Sequence, residues 1–336
     1  MEKIFVDDLL TDLNPNNGQS KPLAIRASDN KIYMLKSQLV NVPGRGLQDE
    51  NAVFMQEMFV NQLALELGIP VPNFAVLDIE QEFIEDNKDY LFSYRLQPGI
   101  YFGTELIPNA ENPLADIYYL EKQQGKPYAI RKWNSYYKNV TNPQVYADII
   151  ALDFLTLNAD RFGNKGNLII AKDEYNRRKA FAIDFGHCFF GPYWNDTKIN
   201  MFNDITNNTN QAELIPKLLD VMFNNQSIEN GKYVNSIGRV FKAMSNAISF
   251  DNGNPFDSIV YKIESLDDKR IEEMLYNIPN EWVVGGNIQR NIYFSFIKAN
   301  KLNIRSILSY INSKGLFKNN QGGALVWSKE NLFGIQ

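Results

Sequence analysis

One cysteine, Cys188, and one histidine, His187, stand among the 336 residues of the sequence. A lone cysteine leaves no disulfide within the chain, which fits a reducing compartment. A lone histidine excludes zinc sites built on two imidazoles, and any Ser-His-Asp arrangement would depend on that one residue. No block of basic residues stands out: 34 Lys and Arg are spread against 39 Asp and Glu, for a net charge of −5. A grip on a phosphate backbone takes a basic stripe, so nucleic acid is not expected as a direct ligand. Long apolar runs are lacking too, and nothing approaches the ~20 residues of a membrane span. Ile4-Phe5-Val6 is followed at once by Asp7 and Asp8, so no signal-peptide core is read there. A cytoplasmic protein is expected. The polar groups that remain are carboxylate, amide, lysine and hydroxyl, which suit Mg²⁺ and phosphate.

The sequence does hold the balance of an ordinary globular chain, 44% hydrophobic and 22% charged, and a length that fits two lobes at about 100–200 residues per domain. Residues 1–20 read as a polar lead-in. Leu23–Arg26 and Ile32–Lys36 read as a hairpin about the turn Ser28-Asp29-Asn30. Residues 40–51 read as a loop. From Ala52 to Leu67 the apolar residues Phe54, Met58, Leu63 and Leu67 recur at helical spacing, and Gly68, Pro70 and Pro72 end the helix. Phe74–Leu77 and Tyr90–Tyr94 read as strands. This makes a small α+β lobe over residues 1–97, strands with one helix. Gly99–Asn142 has no clear pattern. A helix from Val145 to Leu157 follows, then two short strands, Leu168–Ile170 and Phe181–Ile183. Helical segments run from about residue 211 onward. Residues 98–336 read as a larger, mainly helical lobe.

The chemistry concentrates in NADRFGNKGNLII, residues 158–170, and AFAIDFG, residues 180–186. A helix ends before Asp160, Asn167 lies at the threshold of a strand, and the returning strand ends at Asp184. The hairpin would hold all three at one end, facing one cleft. Phosphoryl transfer needs a carboxylate to orient the attacking hydroxyl and take its proton, with an amide and a second carboxylate for Mg²⁺. Lys36, at the end of the second strand, can lie on the phosphates of ATP, and Glu57 in the following helix can hold it. The order Lys, helix Glu, loop Asp, Asn, Asp-Phe-Gly is the protein-kinase order. Two readings stay open at the metal, because Asn164 lies four and Asn167 seven residues after Asp160; Asn167 is favoured because it directly precedes the strand. No G-x-G-x-x-G precedes Lys36. Gly44 and Gly46 are candidates for covering the phosphates, against the competing reading of a plain solvent loop.

These segments resemble the HipA-like kinases. PLAIRASDNKIYMLK (22–36), QEMFVNQLALELGIPVPNFAVLDI (56–79), NADRFGNKGNLII, AIDFGHCF and NIPNEWV (277–283) carry the likeness, which spans about 20 to 310 with a blank between 100 and 140. The resemblance implies a two-lobed protein-kinase-like fold that uses ATP and Mg²⁺. It implies Lys36 for the phosphates with Glu57 as its partner, Asp160 as catalytic base, and Asn167 and Asp184 as metal ligands. Ser93, Tyr94, Arg95 and Leu96 would form the hinge that touches adenine. It also implies a Ser/Thr hydroxyl of a protein as acceptor and, in some members, a toxin held by an antitoxin partner. The spacing from Asp160 to the asparagine departs from the usual five residues, which keeps a binding module without transfer in view, alongside a kinase of a small-molecule or lipid hydroxyl. Of the neighbouring residues, His187 reads as a structural donor or a catalytic group. Cys188 reads as a small buried hydrophobe. Arg161 reads as a partner of Asp184 or of a phosphate, or as one half of a surface ion pair.

Overall fold

The computed structural model of the protein describes residues 2–13, 22–42, 44–92, 94–111, 134–208, 210–222, 228–229, 232–233 and 237–328. Its first part runs β1 (Lys3–Leu9), β2 (Leu23–Ala27), β3 (Ile32–Leu35), β4 (Leu39–Val42), β5 (Gly46–Asp49), α1 (Val53–Leu67), β6 (Phe74–Ile79), α2 (Gln81–Asp86), α3 (Lys88–Leu91) and β7 (Gly99–Glu105). The predicted hairpin of β2 and β3 forms, with Leu23 opposite Leu35 and Ile25 opposite Tyr33. Asn30 takes the left-handed conformation its turn needs (φ 63°), and the Tyr33 hydroxyl donates to the Asp29 carboxylate at 2.8 Å.

Strands β1, β2, β3, β7 and β6 close into a barrel in that order. Alternation along β6 explains how it divides two cores. Ala75, Leu77 and Ile79 face the barrel cluster with Leu23, Ile25, Tyr33 and Leu35, while Val76 faces the larger cluster around α1. Helix α1 is buried almost all round, including the polar Gln56, Glu57 and Asn61. Such a helix is an internal strut between layers rather than a surface helix, and it packs against β7 and against two helices of the second part.

That second part carries α4 (Val145–Leu155), α5 (Asp160–Gly163), β8 (Leu168–Lys172), β9 (Arg178–Ala182), α6 (Asp196–Asn207), α7 (Gln211–Met222), β10 (Ile228–Glu229), β11 (Lys232–Tyr233), α8 (Arg239–Ala247), α9 (Asp257–Glu264), α10 (Asp268–Tyr276), α11 (Gly286–Asn300) and α12 (Ile304–Ser313). The whole is α+β, as expected. No helix among the described residues is long and apolar enough to cross a membrane.

Several details differ from the sequence reading. The lead-in is a strand: β1 pairs in parallel with β6, Lys3 opposite Val76. The loop at 40–51 is the β4–β5 hairpin, Leu39 opposite Asp49. Of the strand expected at Tyr90–Tyr94, Tyr90 and Leu91 end α3 instead, Phe92 and Tyr94 lie in turns and Ser93 is outside the described residues; the two tyrosine rings stack at 5.9 Å. The small first part holds α2 and α3 besides α1. The strand that closes the barrel, β7, lies beyond the break expected at residue 97 and takes up the start of the stretch left unassigned; residues 112–133 of that stretch are outside the described ones.

A close backbone approach adds to the packing of Phe241 of α8 on Phe162 of α5. Gly238 precedes α8 with φ 136°, and a Cβ there would collide with the Phe162 carbonyl oxygen, a backbone atom that cannot swing aside. Gly238→Ala is therefore expected to destabilise the fold by at least about 1–3 kcal/mol from backbone strain, read as a lower melting temperature by circular dichroism. An unchanged melting temperature would mean that α8 does not sit this close.

Candidate functional site

Lys36 follows β3 and keeps its place in the ladder, its N–H donating to the Phe102 carbonyl of β7 at 3.0 Å. Its ammonium donates to Glu57 Oε1 and, at 2.7 Å, to Asp184 Oδ1. Glu57 is fully buried on α1 and also accepts the backbone N–H groups of Phe185 and Gly186, both at 2.9 Å. One carboxylate thus ties the lysine of the barrel to the chain just past Asp184. Burial lifts the Glu57 carboxyl above the usual carboxylate range, against the pull of the Lys36 ammonium. Burial would lower Lys36, but Asp184 and Glu57 together hold it well above an ordinary lysine. At Asp184 burial pushes upward and Lys36 outweighs it, so that carboxyl stays below its usual value. Asp184 itself adopts φ 65°, a left-handed conformation rare for a non-glycine residue and typical of a functional position.

The second group lies on the loop between α4 and β8. Asp160 opens α5, and Asn167 closes a single 3-10 turn, Lys165–Asn167, before β8. The Asn167 amide donates to Asp160 Oδ2 at 2.6 Å. Its Oδ1 is buried and accepts no hydrogen bond, a state that normally calls for an explanation such as an ion. Asn164 is used differently: exposed, it accepts from the Gly166 N–H at 3.0 Å and caps the 3-10 turn. Asn167 and Asp184 are brought close by the main chain, the Ile183 N–H donating to the Asn167 carbonyl at 3.2 Å. Among the described residues no three His, Cys, Asp or Glu side chains gather into a metal site. An ion here would rest on one amide and one carboxylate plus oxygens carried by its ligand, which is how Mg²⁺ is commonly held.

Gly44 and Gly46 sit at the tip of the β4–β5 hairpin with φ 78° and 71°, exposed and with open space around them. Past that hairpin, Glu50 lies 3.4 Å from His187 Nε2, so the only histidine joins the base of the hairpin to the segment after Asp184. Burial would lower the His187 pKa, but the Glu50 carboxylate raises it above the ordinary value. Of the expected hinge, Ser93 lies outside the described residues. Tyr94 is half-buried, Arg95 is exposed, and the Leu96 side chain is buried in the barrel cluster. Cys188 is fully buried, as expected, and burial raises its thiol pKa far above the usual value.

Arg161 meets neither Asp184 nor the surface. It is fully buried and paired with Asp153 of α4 at 2.9 Å. Nothing in the sequence marked Asp153, which looked like one more helical residue. Also missed was a buried set behind Glu57. Lys198 of α6 donates to Gln56 Oε1 at 2.6 Å and to the Gly191 carbonyl at 2.5 Å. The Tyr293 hydroxyl of α11 donates to the same Gln56 oxygen at 2.7 Å. Burial beside these neutral partners lowers the Lys198 pKa to about 7. A lysine in a helix otherwise rich in Asn and Asp reads as solvent-facing, so no sequence signal pointed inward.

A family model described as HipA-like kinase matches residues 13–218, more than half of the chain. Among solved structures, the crystal structure of a Helicobacter pylori proinflammatory kinase, CtkA, aligns over 91% of this chain and 96% of its own, at 12% identity and a TM-score of 0.49. No curated protein matches the chain.

Proposed function

The chain belongs to the HipA-like kinase family, and we propose that it is an ATP- and Mg²⁺-dependent phosphotransferase passing the γ-phosphate to a Ser or Thr hydroxyl of a protein. The observation that carries this reading is the buried, unpartnered Oδ1 of Asn167, beside Asp160 and near an Asp184 paired with Lys36, which Glu57 also holds. In this reading the barrel and helices divide as a two-lobed kinase-like fold, with the boundary after β7 rather than at residue 97. The family resemblance alone supports the protein acceptor and, beyond it, an antitoxin partner. The single cysteine supports a cytoplasmic setting.

Lys36 binds the phosphates as a cation that Glu57 keeps aimed. Asn167 and Asp184 are the residues that would hold the magnesium, which when bound would supply positive charge to offset that of the phosphates. Asp160 orients the acceptor hydroxyl and takes its proton, while Asn167 keeps that carboxylate in place through its amide. Gly44 and Gly46 offer backbone N–H groups from the hairpin tip. Tyr94, Arg95 and the Leu96 backbone are read as the adenine side of the cleft, together with Ser93.

ATP with Mg²⁺ is expected to raise the melting temperature; ligand at 100 times its Kd adds about 2.7 kcal/mol. Radiolabelled ATP then separates transfer from binding alone. A melting temperature indifferent to nucleotide would remove the reading at its base, and binding without any transfer would leave a binding module.

The two asparagines can be told apart in the same assay. Asn164→Ala is expected to leave the magnesium-dependent part of nucleotide binding unchanged. Asn167→Ala is expected to weaken it by about 10–100-fold, as loss of a group at a metal site does. The reverse pattern would assign the metal to Asn164.

A further inference from the structure

We propose that Arg161, the residue after Asp160, is a positioning residue that keeps Asn167 and Asp184 in register with each other; this rests on the phosphotransferase reading above. Its side chain is fully buried, which is rare for arginine unless it is paired; Nε and Nη1 carry its hydrogen bonds, and Nη2 has no hydrogen-bond partner among the described residues. The β8–β9 ladder ends with Leu168 opposite Ala182. Beyond that rung a single backbone hydrogen bond, from the Ile183 N–H to the Asn167 carbonyl at 3.2 Å, joins the two ends, and Asp184 then turns into its left-handed conformation.

The guanidinium sits across this junction and adds to that one bond. Its Nη1 donates to the carbonyl of Asn167 and, at 2.7 Å, to the carbonyl of Ile183, the residue before Asp184. Its Nε faces the Asp153 carboxylate of α4, 3.0 Å from Oδ1 and 2.9 Å from Oδ2, and Asp153 is steadied by the Asn158 amide at 3.2 Å. The cation also lies 4.8 Å from the centre of the Phe185 ring. One rigid planar fork therefore spans α4, the end of the loop and both residues flanking Asp184. A lysine, a single point of charge on a flexible stem, cannot hold two carbonyls and a carboxylate in fixed directions. The hydrogen bonds run to two main-chain carbonyls and to the Asp153 carboxylate, and none reaches the Asn167 or Asp184 side chain, so Arg161 acts through the placement of its neighbours.

The test uses a non-hydrolysable imido analogue of ATP, with its Kd measured by calorimetry in EDTA and in saturating MgCl₂. Two variants are compared with wild type below their melting temperatures. Arg161→Lys keeps a cation near Asp153 but loses the fork, and the double variant Arg161→Met with Asp153→Leu removes both buried charges, a change that buried ion pairs often tolerate. The expected result is an unchanged Kd in EDTA and a magnesium-dependent gain reduced about 10–100-fold in either variant, as for groups that orient metal ligands. A gain equal to wild type in a folded variant overturns the role. Loss of folding in both variants also overturns it, since the pair would then be a folding element only. A wild type with no magnesium-dependent gain overturns the phosphotransferase reading itself, and that outcome is read before either variant is made.

Discussion

Asp160→Asn is expected to cut phosphoryl transfer by about 10²–10⁴-fold, the usual worth of a positioned general base, and to leave nucleotide binding in place. The substitution preserves shape. Asp160 is only half-buried at the start of α5, and the oxygen of an asparagine there can still accept from the Asn167 amide, now at 2.6 Å. What it cannot do is take up a proton from a hydroxyl near neutral pH. Changes at half-exposed positions without a lost network usually move stability by no more than about 0.5 kcal/mol, so the melting temperature should hold. The check is an initial-rate assay with radiolabelled ATP beside a thermal melt with and without ATP and Mg²⁺. An undiminished rate would take Asp160 out of the proton-transfer role. A loss of nucleotide binding would place it among the phosphate or metal contacts instead.

Lys36→Met is expected to have the largest effect on stability, about 3–5 kcal/mol at neutral pH, the cost of breaking a buried pair by removing one partner. Glu57 is wholly buried and Lys36 nearly so. Without the ammonium, Glu57 keeps only N–H donors, including those of Phe185 and Gly186, and faces the Asp184 carboxylate. Its folded-state pKa, already raised by burial, then rises further above the unfolded value of about 4.3. A carboxyl with a raised folded pKa binds more protons in the folded state, so its penalty is largest at high pH and fades as pH falls toward the unfolded value. The deficit relative to wild type should therefore shrink between about pH 7 and about pH 5. Denaturant melts of both proteins at the two pH values measure it, and a deficit that does not change with pH would contradict the pairing. The same variant should lose most of its affinity for ATP.

The sequence revealed the elements whose signals are local. The β2–β3 hairpin announced itself through Ser28-Asp29-Asn30 between two alternating runs. Helix α1 stood out by its apolar period and by Gly68, which ends it at φ 77°. The candidate site residues drew notice because Lys36, Asp160, Asn167 and Asp184 each sit at or next to the end of such an element. Long-range pairing was not legible. Only Val6 of β1 is buried, so the strand lacks the alternating apolar face that would mark it, and its parallel partner lies some seventy residues on. The run Tyr90–Tyr94 has the composition of a strand, but Tyr90 lies in α3 and its ring stacks on that of Tyr94 beyond the helix end. The buried polar groups were the least visible. Arg161 with Asp153, and Gln56 with Lys198 and Tyr293, join residues from separate elements, and each alone looks like an ordinary surface residue. The roles of Asn164 and Asn167 could not be separated by spacing; their hydrogen bonds differ because one caps a turn and the other is enclosed.

The ring of β1, β2, β3, β7 and β6 has a further consequence for association. Every strand in it has a neighbour on both sides, so this ring has no open rim of N–H and C=O groups onto which a foreign strand could be grafted. A peptide that recognises this part of the molecule must do so through side chains on its outer face or its ends, and strand addition of the kind used by domains with open sheets is unavailable to it. The same closure protects the ring from rim-to-rim stacking when the protein is crowded.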